Sequence, residues 1–423
     1  MKNLKTAIPS GAWDEKLMEL YEDESLLSYQ KERYVALLDK FQEAYGDREV
    51  AIISAPGRSE VCGNHTDHQH GQVVAASIHL DALGVVAPNS DLKIRLISEG
   101  YAEIVVDLTR LKKEKSDEGT TSGLIKGVAA GLKDRGYAIG GFDCVLTSDV
   151  LIGAGLSSSA AFEIFLGTTL SHLYNAGQVL PVELATIGQY AENVYFGKPC
   201  GLMDQMACSV GGMIHIDFKD VAHPLVEQIP VDFRKFGMSL CITDTKGSHA
   251  DLTEDYAAVP REMKQVAAHY GKSYLREVEE ADFYREIGKL ASIMGDRAVL
   301  RGMHFYAEEH RVEALVKALH EGNKEEFLKN ITASGNSSFK YLQNVYTVRD
   351  VAHQSVSLAL AVSEQALGGE GATRVHGGGF AGTIQAFVPG EKVEAYRSAM
   401  DAVFGEGACH VLKVRRFGGT RVI

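Results

Sequence analysis

One run of small residues constrains this chain more than any other: Leu151-Ile152-Gly153-Ala154-Gly155-Leu156-Ser157-Ser158-Ser159-Ala160-Ala161. Before it, Phe142 to Thr147 is β-rich; after it, Phe162, Phe165, Leu166, Thr169, Leu170 and Leu173 recur at helical spacing. The glycines and serines therefore fall just ahead of a helix N-terminus. Such a junction suits an anion, because Gly153 and Gly155 have no side chain to block close backbone approach. First-turn N–H groups and the helix dipole favour negative charge there. Three consecutive serines add hydroxyls for phosphate oxygens or a magnesium shell. The run reads as a triphosphate cradle, with Gly153, Ala154, Gly155, Leu156, Ser157, Ser158, Ser159 and Ala160 as its nucleotide-binding residues. The plainer alternative is a serine-rich N-cap preceded by a flexible turn.

Two better-known phosphate motifs are excluded. A Walker loop needs a Gly-Lys-Ser/Thr ending, and no lysine lies between Asp149 and Lys198. A Rossmann fingerprint needs a third glycine where Ser158 stands.

A chain of 423 residues with 45% hydrophobic content exceeds what one core usually sustains, so two lobes are expected, 1–218 and 219–423. The formal net charge of -13 argues against nucleic acid or an anionic membrane as partner, so a phosphate site must be local. The cysteines Cys62, Cys144, Cys200, Cys208, Cys241 and Cys409 form no C-x-x-C pair, and neither a zinc site nor a disulfide framework is indicated. With no apolar leader after Met1 and no run of membrane-spanning length, a soluble, cytoplasmic protein is expected.

In chain order, Tyr34, Leu37, Leu38, Phe41 and Tyr45 predict an amphipathic helix stopped at Gly46-Asp47. Ala51 to Ser54 looks like a strand and leads into Pro56-Gly57-Arg58, then the polar loop Cys62-Gly63-Asn64-His65-Thr66-Asp67-His68-Gln69-His70-Gly71. Val73–Ile78, Ala82–Ala87, Lys93–Ser98 and Glu103–Leu108 read as strands of an antiparallel meander. Gly123, Gly127 and Gly131 line a helix expected to pack closely on a sheet, and Pro181 to Tyr195 reads as another helix. Within Cys200-Gly201-Leu202-Met203-Asp204-Gln205, an acid amid small and apolar residues is either a cap or a buried functional group. Leu240–Thr245 looks like a strand, while Glu254–Tyr270, His310–His320 and Val351–Leu367 look helical. Near the end, Val375-His376-Gly377-Gly378-Gly379-Phe380-Ala381-Gly382-Thr383 is either a flexible turn or backbone packed against the phosphate loop.

Pro56-Gly57-Arg58 through Asp67, Gly153 through Ala161 and Gly377 through Gly382, in this order, closely resemble the three signatures of the GHMP kinases. Within that superfamily the chain is most similar to galactokinases, whose signature G-R-x-N-x-x-G-E-H-T-D-Y-N-x-G is read here from Gly57 to Gly71, and whose C-G-x-M-D-Q matches Cys200 to Gln205. The resemblance spans roughly residues 40 to 420. It implies a two-lobe α+β GHMP kinase fold, with a ribosomal protein S5 domain 2-like N-terminal lobe and a ferredoxin-like C-terminal lobe. The implied activity is ATP-dependent phosphorylation of galactose at its C1 hydroxyl.

The resemblance also assigns roles. Asp204 matches the catalytic aspartate, and Arg58 the arginine that keeps it ionised and offsets γ-phosphate charge. Ser159 and Glu192 match the magnesium-associated pair. Asn64, His65, Asp67, Gly201 and Tyr256 fall where the family grips the sugar hydroxyls. Four positions depart from the signature: Glu60 stands for asparagine, Asn64 for glutamate, and His68-Gln69 for tyrosine-asparagine. The family's glutamate contacts the C6 hydroxyl, so Asn64 is expected to face C6; with no acid there and His-Gln after the aspartate the chain also resembles galacturonate kinases, and galacturonate, or another sugar phosphorylated at C1, is the alternative substrate. A galactose-sensing regulator on the same fold is a further alternative, although Ser157 to Ala161 is intact.

Overall fold

The computed structural model describes every residue except 152, 234, 235 and 248–251, so Ile152 of the Gly-Ser run lies outside the described residues. Two sheets organise the rest. The first holds β1 (Ala51–Cys62), β2 (Gln72–Pro88), β3 (Lys93–Ser98), β4 (Ile104–Asp107), β5 (Phe142–Ser148), β6 (Met213–Asp217), β7 (Leu225–Ile229) and the late strand Thr420–Arg421. The second is wholly antiparallel: β8 (Met238–Asp244) and β9 (Ala372–His376) flank β10 (Thr383–Pro389), and β11 (Cys409–Leu412) lies outside β8. Thr420–Arg421, which becomes β12, pairs with Ile53 and Ser54 of β1.

The spine of the first sheet is β2. Val73–Ile78 and Ala82–Ala87 are one strand of 17 residues, not two, whose first half pairs with β6 and whose second half pairs with β5. The expected meander is therefore broken: β5 enters between β2 and β3 and runs parallel to β3. Every residue of β1 is buried, and its register shifts between Pro56 and Arg58. A β-bulge re-aims a side chain, and here the residue it turns is Arg58. Gly57 is required at that bend, since a Cβ there would stand 2.8 Å from the Leu156 carbonyl and 2.9 Å from Val150 Cγ1.

Helices cover the sheets. The predicted Tyr34–Tyr45 helix runs from Leu27 to Tyr45 and stops at Gly46, with φ +81°. The helix Thr121–Asp134 shares a core with the first sheet, but its glycines face other helices: Cβ atoms on Gly127 and Gly131 would strike Ala191 and Ile187. Pro181–Tyr190 is α-helical, but Ala191–Phe196 widens into a π-helical turn that carries Glu192. Such turns concentrate at functional sites.

The main core is continuous between the sheets, joining Ile53, Phe142 and Phe165 to Leu240, Phe327 and Phe387. Each such side chain contributes about 1.5–3 kcal/mol by leaving water. Residues beyond 218 also complete the first sheet, through β7 and β12. Arg415 and Arg33 both bond the fully buried Asp81, at 3.3 and 2.6 Å. Burial pushes the Asp81 carboxyl up, but the two guanidiniums outweigh it and hold the group below its ordinary range.

Candidate active site

The Gly-Ser run loops over β1 and enters the helix Ser158–Tyr174, as its small residues predict. Gly153 and Gly155 have φ of +82° and +67°, and Ser157, the N-cap, sits at +57°. A serine held in that left-handed region marks strain at a functional position. Its hydroxyl makes no capping bond; it donates to Asp204 Oδ2 instead. The first-turn N–H groups of Ser158, Ser159 and Ala160 have no partner within an α-helix, so the helix start can receive an anion.

Arg58 and Asp204 lie beneath this loop. Arg58 Nε donates to Asp204 Oδ1 at 2.7 Å, and its other arm donates to the Gly155 carbonyl. Asp204 occupies the first turn of the helix Met203–Val210. Burial raises its carboxyl, yet the Arg58 charge and the hydrogen bonds from Arg58 and Ser157 together hold it below the usual carboxylate range. Asp204 is thus an ionised acceptor rather than a cap.

Ser159 and Glu192 meet as expected, with Ser159 Oγ donating to Glu192 Oε1 at 3.0 Å. Lys198 Nζ reaches the same oxygen at 3.1 Å, and Gln205 Nε2 bonds the other at 2.8 Å. Gln205 also bonds Glu163 Oε2 at 3.0 Å. Burial, then the Glu192 charge, raise the Glu163 carboxyl well above its ordinary value. A hydroxyl beside a carboxylate is the hard oxygen set that magnesium prefers, and the residues present fit that ion.

The polar loop brings Asp67 within the field of Asp204 and Arg58, and His65 to the glycine turn. His65 holds φ +60°, and its Nε2 lies 3.1 Å from the Gly378 carbonyl. Tyr256 Oη donates to the Gly379 carbonyl at 2.9 Å, so both residues grip one glycine turn. Asp67 lies under Gly201, where a Cβ would approach Asp67 Oδ2 to 2.4 Å. Burial raises the Asp67 carboxyl to about 6, helped by the charges of Glu60 and Asp204 against a backbone bond from His68.

Asn64 departs from its expected place. Its side chain is fully buried and does not line the cleft. It donates to Glu60 Oε1 at 3.0 Å and to the Gly377 carbonyl at 2.8 Å, and accepts from Asn344 at 2.8 Å. Glu60 also holds Arg374 at 2.7 Å, and His304 Nε2 lies 2.8 Å from the Asn64 carbonyl. With every polar atom of its amide engaged inside the protein, Asn64 is not free to meet C6 in this structure, and of the grounds for a uronic acid only the His68-Gln69 similarity is left.

The triple glycine also differs from expectation. Gly377 and Gly378 face Asn64, His65 and Tyr256. It is their flanks that back the phosphate loop: Thr383 Oγ1 donates to the Ala154 carbonyl at 3.4 Å, and His376 bonds Thr383 at 3.0 Å and Ser59 at 3.1 Å. Sequence reasoning missed His376, Thr383, Arg374, Glu163 and the role of Gln205. The first three flank or precede the glycine run, which is the only signal that pointed near them.

A phosphate loop on a helix start, an Arg-carboxylate pair beneath it and a polar loop opposite define a small-molecule kinase of the GHMP class. The model of the GHMP kinases N terminal domain matches residues 123–212, and that of the galactokinase galactose-binding signature matches 39–88. A galactokinase of Streptomyces coelicolor is 30% identical over 369 residues, covering 86% of this chain and 92% of its own. One from Glaesserella parasuis is 30% identical over 363 residues, with 85% and 90% covered. The chain belongs to the galactokinase family of sugar kinases. The Lactococcus lactis galactokinase solved with galactose superposes with a TM-score of 0.77 at 27% identity, over 92% of this chain and 100% of that one. A mevalonate kinase structure at 17% identity and a TM-score of 0.61, over 86% of this chain and 98% of its own, shares the fold. Among the described residues no helix is long and apolar enough to cross a membrane.

Proposed function

We propose that this chain transfers the γ-phosphoryl group of ATP to the C1 hydroxyl of galactose, giving galactose 1-phosphate and ADP. The observation that carries this reading is the Arg58–Asp204 pair, 2.7 Å apart where the phosphate loop meets the sugar-side residues. In the proposed step the C1 oxygen bonds to the γ-phosphorus while the bond from phosphorus to the β,γ-bridging oxygen breaks. The hydroxyl proton passes to Asp204 Oδ2, the oxygen that Ser157 now occupies as donor. Arg58 keeps Asp204 ionised and offers positive charge to the γ-phosphate.

The Gly153–Ala160 backbone and the helix start receive the phosphates. Ser159 and Glu192 would hold magnesium, which neutralises nucleotide charge when bound. His65, Asp67, Tyr256 and the open backbone at Gly201 are proposed to receive the sugar hydroxyls. Reduced cysteines, all six free here, support a cytoplasmic setting. A coupled ADP-release assay across hexoses and uronic acids, with phosphorus NMR of the product, tests the reading. Galactose is expected to be turned over and the phosphate found on C1; no turnover of galactose overturns it.

A further inference from the structure

We infer that His68 and Gln69 form a positioning pair that sets the tautomer of His65, so that His65 meets the sugar only as a hydrogen-bond donor through Nε2. This rests on the sugar-binding role proposed for His65. Both residues of the pair stand where the galactokinase signature has tyrosine-asparagine, so that signature does not supply the device.

The direction of the proton chain follows from its two ends. At one end, the backbone N–H of Leu275 lies 3.2 Å from Gln69 Oε1. A backbone N–H can only donate, so the oxygen of the Gln69 amide must face it. That leaves Gln69 Nε2 3.2 Å from His68 Nδ1. The amide nitrogen is a donor with no acceptor capacity, so His68 Nδ1 must carry the lone pair, and the proton of the neutral ring sits on Nε2. His68 Nε2 in turn lies 3.2 Å from His65 Nδ1.

At the other end the Gly378 carbonyl can only accept, and His65 Nε2 lies 3.1 Å from it. His65 must therefore be protonated on Nε2, with its lone pair on Nδ1. That is the acceptor the His68 N–H requires. The two ends, the Leu275 N–H and the Gly378 carbonyl, lie about a hundred residues apart in sequence and demand the same order of protons without reference to one another. Burial, which lowers both imidazoles, keeps the rings neutral as this order needs.

The anchor is rigid. Gln69 is fully buried, and Leu275 opens a short turn, Leu275–Glu277, tied down by Arg276 to Asp217 at 2.9 Å and to Glu309. Tyr274 stacks on His70 at 3.6 Å between ring centres. Gly378, the current acceptor, also touches the Tyr256 ring, so the His65 N–H already points to the sugar side. A sugar oxygen that replaces the carbonyl must accept.

Nitrogen-15 NMR of the full chain, labelled in histidine, tests the tautomers directly. His65 and His68 are expected to be protonated on Nε2 and bare on Nδ1; a His65 proton on Nδ1 overturns the inference. His68→Phe keeps the ring shape and removes the donor, and should raise KM for galactose about tenfold while leaving kcat and KM for ATP within about twofold. His68→Gln, whose Nε2 can donate to His65 Nδ1, should restore most of the loss. An unchanged KM in His68→Phe, or an equal loss in both variants, refutes the pair as a positioning device. A chain with the expected tautomers that phosphorylates no galactose would instead refute the substrate reading alone.

Discussion

Replacing Asn64 by glutamate is a sharp test of the buried network behind the sugar loop. Asn64 Nδ2 lies 3.0 Å from Glu60 Oε1, so the change sets a second carboxylate against the first. Two like charges about 3 Å apart repel by roughly 5–6 kcal/mol at an effective dielectric of 20. The protein can evade part of this by taking up a proton. Protonating a carboxyl of ordinary pKa about 4.3 costs about 1.4 kcal/mol per unit of pH above that value, or about 3.7 kcal/mol at pH 7. Protonation is the cheaper route, so the loss of stability should be about 3–4 kcal/mol at pH 7. The sign follows from linkage: a carboxyl whose folded pKa is raised costs stability that grows as pH rises above the unfolded value. The same arithmetic leaves only about 1 kcal/mol near pH 5. Urea unfolding of wild type and variant from pH 5 to 7.5 measures the difference. Adding Glu60→Gln to the variant should return most of it, because the amide introduced there could then donate to the new carboxylate. Equal stability of wild type and variant at pH 7 would mean that Asn64 does not face Glu60, and the enclosed network described above would be wrong.

Asp204→Asn should lower kcat by about a thousandfold while nucleotide affinity, read by calorimetry, stays near wild type, since the amide cannot accept the proton. Ser159→Ala and Glu192→Gln should each shift the magnesium titration of activity to higher concentration; unchanged titrations in both would remove them from the metal's surroundings. Asp67, raised to about 6 mainly by burial, should make kcat/KM for galactose fall as pH drops through about 6, where the acceptor becomes protonated. Because the charged form is disfavoured in the fold, Asp67→Asn should gain about 2–3 kcal/mol of stability at pH 7 while KM for galactose rises.

What was legible in the sequence is what the chain keeps local. The Gly-Ser run shows its strand, loop and helix within thirty-odd residues, and Ser157 and Ser159 land where their spacing implied. Arg58 and Asp204, 146 positions apart, can be matched only because each sits in its own compact motif. Asn64 shows the limit. Its surroundings are set by Asn344, 280 residues later, by Ser338 and by the backbone of Gly377, and no local pattern encodes them. The meander failed for the same reason: β5 enters the sheet after a helix and a loop, and only tertiary pairing shows that it parts β2 from β3. The π-helical turn at Glu192 was also invisible, since no local pattern marks it and its neighbours, such as Gly127 of the Thr121–Asp134 helix, are distant in sequence.

The pairing of β12 with β1 has a consequence for how the protein is made. The strand that carries Arg58 leaves the ribosome well over three hundred residues ahead of its partner, so its edge at Ile53 and Ser54 stays unpaired until Thr420 and Arg421 arrive. Asp81 likewise waits for Arg415 as its second guanidinium. An open strand edge invites pairing with other chains, and domains generally fold as they emerge. Here the first sheet cannot be completed until the strands of the second have been made. Ribosomes that stop early therefore release chains with an exposed β1 edge and a half-paired buried aspartate, which are substrates for chaperones and proteases and not slow versions of the enzyme.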